Sequence, residues 1–270
     1  MITGFTDKVF LITGSAQGLG RELAKIALAS GAKVVINSRS TAKEPEVSEL
    51  FKVHKGNFSF CAADITKATD AQRLVEHTIQ QFGKLDVLIN NGGMSAFGDL
   101  SATSPEVIEQ ILDSNLKGSL FMSHFAIPHL AKTKGSIEFI SSLAAIHGIG
   151  GYSLYSASKM AYLGAAQSLR KELKSANIHV GTMFLGFTKN DPTKVTYSPT
   201  GSLEIVPVRK GLPVSTQTES ATLILKQIKN RKPIVVHSAF GKLTYVVNRI
   251  APRIIHAVLL NQYRKQNPDN

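Results

Sequence analysis

Tyr155 and Lys159 stand four residues apart in Tyr155-Ser156-Ala157-Ser158-Lys159, a spacing that puts both side chains on one face of a helix. A phenol in water has a pKa of about 10 and holds its proton too tightly to act as a base near neutrality. A lysine cation beside it favours the phenolate, so the pair suits proton exchange with a substrate oxygen. Ser142 lies thirteen residues before Tyr155, and Asn115 twenty-seven residues before Ser142, two further polar groups for such a site. Tyr152 is a neighbouring tyrosine, but Ser156 rather than a lysine follows it by four. Taken singly, a Tyr-x-x-x-Lys pair also fits a helix surface, Ser142 a turn and Asn115 a helix kink.

A second motif gives the set meaning. Thr13-Gly14-Ser15-Ala16-Gln17-Gly18-Leu19-Gly20 lies between the apolar run KVFLIT (8–13) and RELAKIALAS, where Leu19, Leu23, Ile26 and Ala27 recur at helical spacing. Glycines let the backbone turn tightly and approach a pyrophosphate, and the helix start adds free N–H groups and a positive dipole end. The same letters also fit an ordinary glycine turn. In a dinucleotide fold, the end of the second strand faces the adenosine ribose, where a carboxylate would select NAD. Here it reads Val35-Ile36-Asn37-Ser38-Arg39. Without a carboxylate, and with Ser38 and Arg39 suited to a 2′-phosphate, NADP(H) is favoured. Arg39 as a plain surface arginine is the alternative.

The elements that must position these residues follow from the apolar pattern. Strands are expected at 8–13, 33–38, 58–64, 85–90, 136–141, 178–184 and 233–236. Helices are expected at 71–82, 105–130, 153–175 and 219–230. Such alternation implies an α/β fold, a Rossmann-like doubly wound parallel sheet in a three-layer α/β/α sandwich with a C-terminal amphipathic helical extension. Residues 1–240 form one catalytic domain, with a proline-rich loop at about 188–218 as a substrate lid, and 241–270 form a basic amphipathic segment.

The glycine turn in register with Asn115, Ser142, Tyr155 and Lys159 resembles the short-chain dehydrogenase/reductase family over roughly Thr6 to Val236. The resemblance implies a carbonyl/alcohol oxidoreductase using hydride transfer, with Ser142 polarising the substrate oxygen, Tyr155 transferring the proton, Lys159 tuning it and holding the nicotinamide ribose, and Asn115 supporting a relay. It implies that Asp64 bonds the adenine and Ile65 flanks it. Asn90-Asn91-Gly92-Gly93 resembles the family's Asn-Asn-Ala-Gly cofactor wall. Gly186 and Thr188 fall near the nicotinamide, although Leu185 replaces the family's proline. Ser141, one place from Ser142, is expected to serve the backbone. A homo-oligomer, dimer or tetramer, is implied by resemblance alone.

Composition bounds the rest. With 43% apolar and 19% charged residues the chain is ordinary for a globular protein. One cysteine, Cys61, can neither pair internally nor share a metal with a second thiolate, so no metal is expected, and with no visible signal peptide the cytoplasm is the expected place. The formal net charge of +12 fits an anionic cofactor, an acidic carrier protein or anionic lipid; no motif points to nucleic acid. Tyr197, Leu203, Ile205 and Val206 either line an apolar pocket or pack the lid on the body. Within 241–265, Leu243, Val246, Ile250 and Ile254 beside Arg249, Arg253 and Arg264 suit either peripheral contact with a membrane surface or packing on the body or a partner. The substrate expected is a hydrophobic, lipid- or steroid-like carbonyl or alcohol. The alternatives are a 3-oxoacyl-carrier-protein-type reductase and an NADPH-binding regulator without turnover.

Overall fold

The structure is a computed structural model that describes residues 3–192, 194–206 and 214–266. Part of the expected lid (Thr193 and 207–213) and the end of the tail (267–270) lie outside them. Short apolar runs form β1 (Val9–Ile12), β2 (Lys33–Ser38), β3 (Phe58–Ala62), β4 (Val87–Asn90), β5 (Ser136–Ser142) and β6 (His179–Leu185). A separate antiparallel hairpin, β7 (Val195–Tyr197) and β8 (Leu203–Ile205), precedes β9 (Ile234–Val236). The main sheet has the order β3-β2-β1-β4-β5-β6-β9 and is parallel at every pairing. The order reverses between β1 and β4, and in such sheets ligands bind at the carboxyl ends beside this switch point.

Alternation along the strands feeds two cores. Phe10, Ile12, Val34, Ile36 and Ile89 face α1 (Gly18–Ala29), α2 (Glu44–Leu50) and α7 (Gln217–Lys229). Leu11, Val35, Leu88, Ile137 and Phe139 face α3 (Ala68–Phe82), α5 (Gly118–Thr133) and α6 (Ser153–Glu172). Both faces of the sheet are covered, so its strands carry the near-continuous apolar runs seen in the sequence.

The expected helix at 105–130 is in fact α4 (Pro105–Leu112) and α5, joined by a π-helical turn at Asp113–Lys117 that carries Asn115. Such turns interrupt the regular ladder and often mark functional sites. α2 was not anticipated; only Val47 of its seven residues is buried, leaving little periodicity to read. The C-terminal segment is two helices, α8 (Ala239–Ile250) and α9 (Pro252–Gln266). Proline has no N–H to donate and disfavours helical backbone at the residue before it; Ala251 accordingly leaves the helix at φ −144°.

Candidate active site

The glycine turn is built on buried Thr13, Ser15 and Asn37 and half-buried Asn91. Asn37 accepts from the Gly14 N–H (3.2 Å) and donates to the carbonyls of Ser38, Cys61 and Ala63. Asn91 donates to the carbonyls of Thr13 (2.9 Å) and Gly14 (3.2 Å), while the Thr13 hydroxyl accepts from the N–H groups of Asn91 and Gly92. The Ser15 hydroxyl donates to Ile12 and accepts from Asn37 N–H. Gly14 and Gly18 have φ of +60° and +55°, values that favour glycine. At Gly20 a Cβ would lie 2.5 Å from the Gly14 carbonyl oxygen and 2.8 Å from Ser15 Cα, so only glycine lets α1 start this close to the turn.

The start of α1 suits a diphosphate. Gln17 makes no capping bond, the first turn holds no acid, and a Cβ on Gly18 would meet nothing within 4 Å. The helix therefore presents uncapped N–H groups towards open space, beside Leu19. Ser38 is half-buried and Arg39 exposed just beyond β2. Asp64 uses one carboxylate oxygen to accept from the N–H (3.1 Å) and hydroxyl (2.9 Å) of Thr66, a turn-capping role, and Ile65 is buried against Gly92 and Gly118.

Asn115, Ser142, Tyr155 and Lys159 converge at the carboxyl end of β5. The Ser141 hydroxyl donates to the Lys159 carbonyl (2.9 Å), and Lys159 Nζ donates back to the Ile140 carbonyl (3.0 Å), so strand and helix are fastened twice at one residue. Lys159 Nζ sits 5.9 Å from the Tyr155 ring centre and 4.6 Å from that of Tyr162. Burial pulls the Lys159 ammonium down to about 7, with the Lys194 charge acting in the same direction. Asn115, fully buried, donates to the Met94 carbonyl (2.9 Å) and Ser158 Oγ (3.0 Å) and accepts from Met94 N–H (2.7 Å). A Cβ on Gly93 would lie 2.8 Å from Asn115 Oδ1 and 3.6 Å from Lys159 Nζ, so this glycine lets the β4 loop close on both. Ser142 Oγ accepts from Ala144 N–H (3.2 Å), starting the turn towards α6. Tyr155 is half-buried in the first turn of α6, whereas Tyr152 is exposed at its start.

After β6 the loop that lacks the family's proline is held by His237, a residue passed over in the sequence. Buried just beyond β9, His237 accepts from Gly186 N–H through Nδ1 (3.3 Å), and the Thr188 hydroxyl bonds Ser220 Oγ (2.8 Å). The expected lid contains the β7–β8 hairpin. Tyr197 packs with Met94, Ala96, Leu154 and Ile111, while Leu203 and Ile205 are exposed. Arg21 in α1 ties the expected lid to the helix after the glycine turn through Asp191 (3.4 Å). Asn37, Ser158 and His237 left no sequence signal beyond a polar residue at a strand end or inside a quoted motif.

The model of the short chain dehydrogenase family matches residues 8–199. The chain belongs to the short-chain dehydrogenase family. It is an oxidoreductase acting on CH–OH and carbonyl groups, the chemistry of this family. An uncharacterised oxidoreductase of Thermotoga maritima is 36% identical over 188 residues, covering 69% of this chain and 74% of that protein. The 11-beta-hydroxysteroid dehydrogenase-like 2 protein of Arabidopsis thaliana is 31% identical over 258 residues, covering 94% of this chain and 81% of that one. A short-chain dehydrogenase from Streptomyces avermitilis shares the fold at a TM-score of 0.80 with 20% identity, covering 97% of this chain and all of the other. An NADH-dependent reductase of alginate metabolism, A1-R′, superposes at a TM-score of 0.72 with 25% identity over 86% of this chain and 96% of its own.

Proposed function

We propose that this short-chain dehydrogenase interconverts a hydrophobic carbonyl and its alcohol with NADP(H), using Tyr155 as the proton-transferring group. The observation that carries the reading is the double fastening of Lys159 to β5, which holds the base-tuning cation one helical turn from Tyr155 at the strand end bearing Ser142. The bound dinucleotide supplies or accepts the hydride at the substrate carbon. Gly14 to Gly20 would hold its diphosphate at the start of α1, and Ser38 and Arg39 its 2′-phosphate. Asp64 and Ile65 would border the adenine, Asn91, Gly92 and Gly93 would form the wall, and Gly186 and Thr188 would border the nicotinamide.

In reduction, Ser142 donates a hydrogen bond to the substrate oxygen and Tyr155 passes it the phenolic proton. Lys159, when charged, favours the resulting phenolate; in oxidation the proton returns along the same path. Asn115 and Ser158 keep the floor of this arrangement polar and fully bonded beneath Lys159. Met94, Leu154 and Tyr197 form an apolar cluster with Ala96, Val107 and Ile111 that includes the residue before Tyr155, and with the likeness to plant 11-beta-hydroxysteroid dehydrogenase-like proteins this favours a lipid- or steroid-like substrate. Leu120 on α5 and Met160 on α6 are large apolar side chains left outside, which suits a dimer or tetramer built on those helices. The proposed place is the cytoplasm, with the α8–α9 segment in peripheral contact with a membrane; no helix among the described residues is long and apolar enough to cross one.

The test is NADPH and NADH oxidation with carbonyls graded from small ketones to steroids, run on the wild type and Arg39→Ala. We expect NADPH and the larger apolar carbonyls to be preferred, and Arg39→Ala to lose about ten- to a hundredfold in kcat/KM with NADPH, as for a lost charge-assisted bond, while NADH is unaffected. Equal use of both cofactors, unchanged by the substitution, would remove the 2′-phosphate assignment.

A further inference from the structure

We infer that the outer face of α8–α9 seats on an anionic lipid bilayer and brings the mouth of the active site to the membrane surface. Phe240, Leu243, Val246 and Ile250 recur every three or four residues on α8, Ile254 and Val258 stand four apart on α9, and all six are 53–77% exposed, apolar surface that the rest of the described chain leaves uncovered. Lys242, Arg249, Arg253, Arg264 and Lys265 accompany it, and no aspartate or glutamate occurs between 239 and 266. An exposed apolar face with cations alone beside it fits the boundary between acyl chains and anionic headgroups. It fits a second copy of this chain poorly, because a two-fold contact would set these five cations against themselves.

The inner side of the same helices rests on the segment that joins Ser142 to Tyr155. Leu143 packs where Gly241 leaves room, Asn248 donates to the Ile146 carbonyl (2.7 Å) and bonds His147 Nδ1 (2.8 Å), and the Tyr263 ring covers Gly150. The Tyr263 hydroxyl also donates to Asp99 (2.5 Å). A bilayer on the outer face therefore lies one helix thickness from the catalytic loop, so an apolar substrate could pass from lipid to the pocket with little exposure to water. The docking deepens the peripheral-contact reading above, and the passage of substrate rests on the hydrophobic-substrate reading.

Flotation of the full chain with phosphatidylcholine vesicles, with and without phosphatidylserine, tests the docking separately from turnover. Binding is expected only with phosphatidylserine, weakening as salt rises. Lys242→Gln with Arg253→Gln should weaken it about thirtyfold, two surface cations' worth, and Leu243→Ser with Ile250→Ser should abolish it. Both variants should keep wild-type circular dichroism and wild-type NADPH oxidation with a water-soluble ketone. Failure to float with phosphatidylserine, equal flotation with neutral vesicles, or wild-type flotation by both variants would overturn the proposal. So would a larger species in vesicle-free solution that Leu243→Ser with Ile250→Ser converts to a smaller one, since a second copy would then cover the face. If the substrate reading alone fails, flotation persists while no apolar carbonyl is turned over.

Discussion

The proposed cofactor side and the proposed substrate side of this molecule are built on different principles. Around Gly14 to Gly20 the positions are fixed by backbone geometry: two positive φ angles, an approach that excludes a Cβ, and the amides of buried Asn37 and half-buried Asn91 bonded to main-chain groups. Around β7–β8 and α8–α9 the surface is largely exposed and the anchors are few: the Tyr197 backbone bonded to Ser95 and Phe97 and its ring packed with Met94 and Leu154, Tyr263 against Asp99, Asn248 against His147. A diphosphate bound by main-chain N–H groups makes the same demands on any chain, whereas a substrate pocket is shaped by variable side chains. The difference predicts where substitutions will be costly and where they will be mild.

Lys159 sits where the two sides meet, and its replacement should have the largest effect. Lys159→Met should lower kcat by about 10²–10⁴, the range of lost acid–base assistance, without lowering stability at neutral pH. The second half of that expectation comes from linkage. Burial holds the folded-state pKa at about 7 against 10.5 for a free lysine, so between those values the unfolded chain binds more protons. This group therefore makes stability rise with pH across that window. Urea titrations of wild type and variant at pH 7 and pH 9 should show that rise to be smaller in the methionine variant; an identical slope would mean that Lys159 is not buried as described.

Gly20→Ala should come next, breaking the cofactor side alone. A methyl 2.5 Å from a backbone oxygen must displace main chain, and an overpacking cost of about 1–3 kcal/mol together with weaker NADPH binding is expected. Thermal unfolding with and without NADPH checks it. Leu203→Ser with Ile205→Ser should be the mildest change, within about 0.5 kcal/mol of wild-type stability, because both side chains are exposed. A KM for large apolar carbonyls that rises while that for small ketones holds would sharpen the contrast, by showing that the hairpin contributes to substrate choice rather than to folding.

The same contrast explains what was legible in the sequence. β1, β2, β4 and β5 are legible as apolar runs because parallel strands are buried on both faces, and Tyr155, Lys159, Ser142 and Asn115 can be read as a candidate set because their spacing matches the pattern of the family. Asn37 reads in the sequence only as a missing carboxylate; the four hydrogen bonds of its side chain reach the turn after β1 and the end of β3, a tertiary role that no local pattern carries. The short β7–β8 pairing and the seven-residue α2 bury too little to leave a period. Pro252, which cannot continue a helix, marks the bend, but the inward face of α8–α9 is fixed by contacts with 143–151 that are about a hundred residues distant in sequence.

The most direct test of Tyr155 as proton donor is to measure NADPH affinity and NADPH oxidation side by side in the wild type and Tyr155→Phe, using a carbonyl that the wild type reduces. Removal of one hydroxyl from a half-buried ring should leave NADPH binding within about twofold while turnover falls by about 10²–10⁴. Turnover that survives the substitution would contradict the assignment and move the proton to another group.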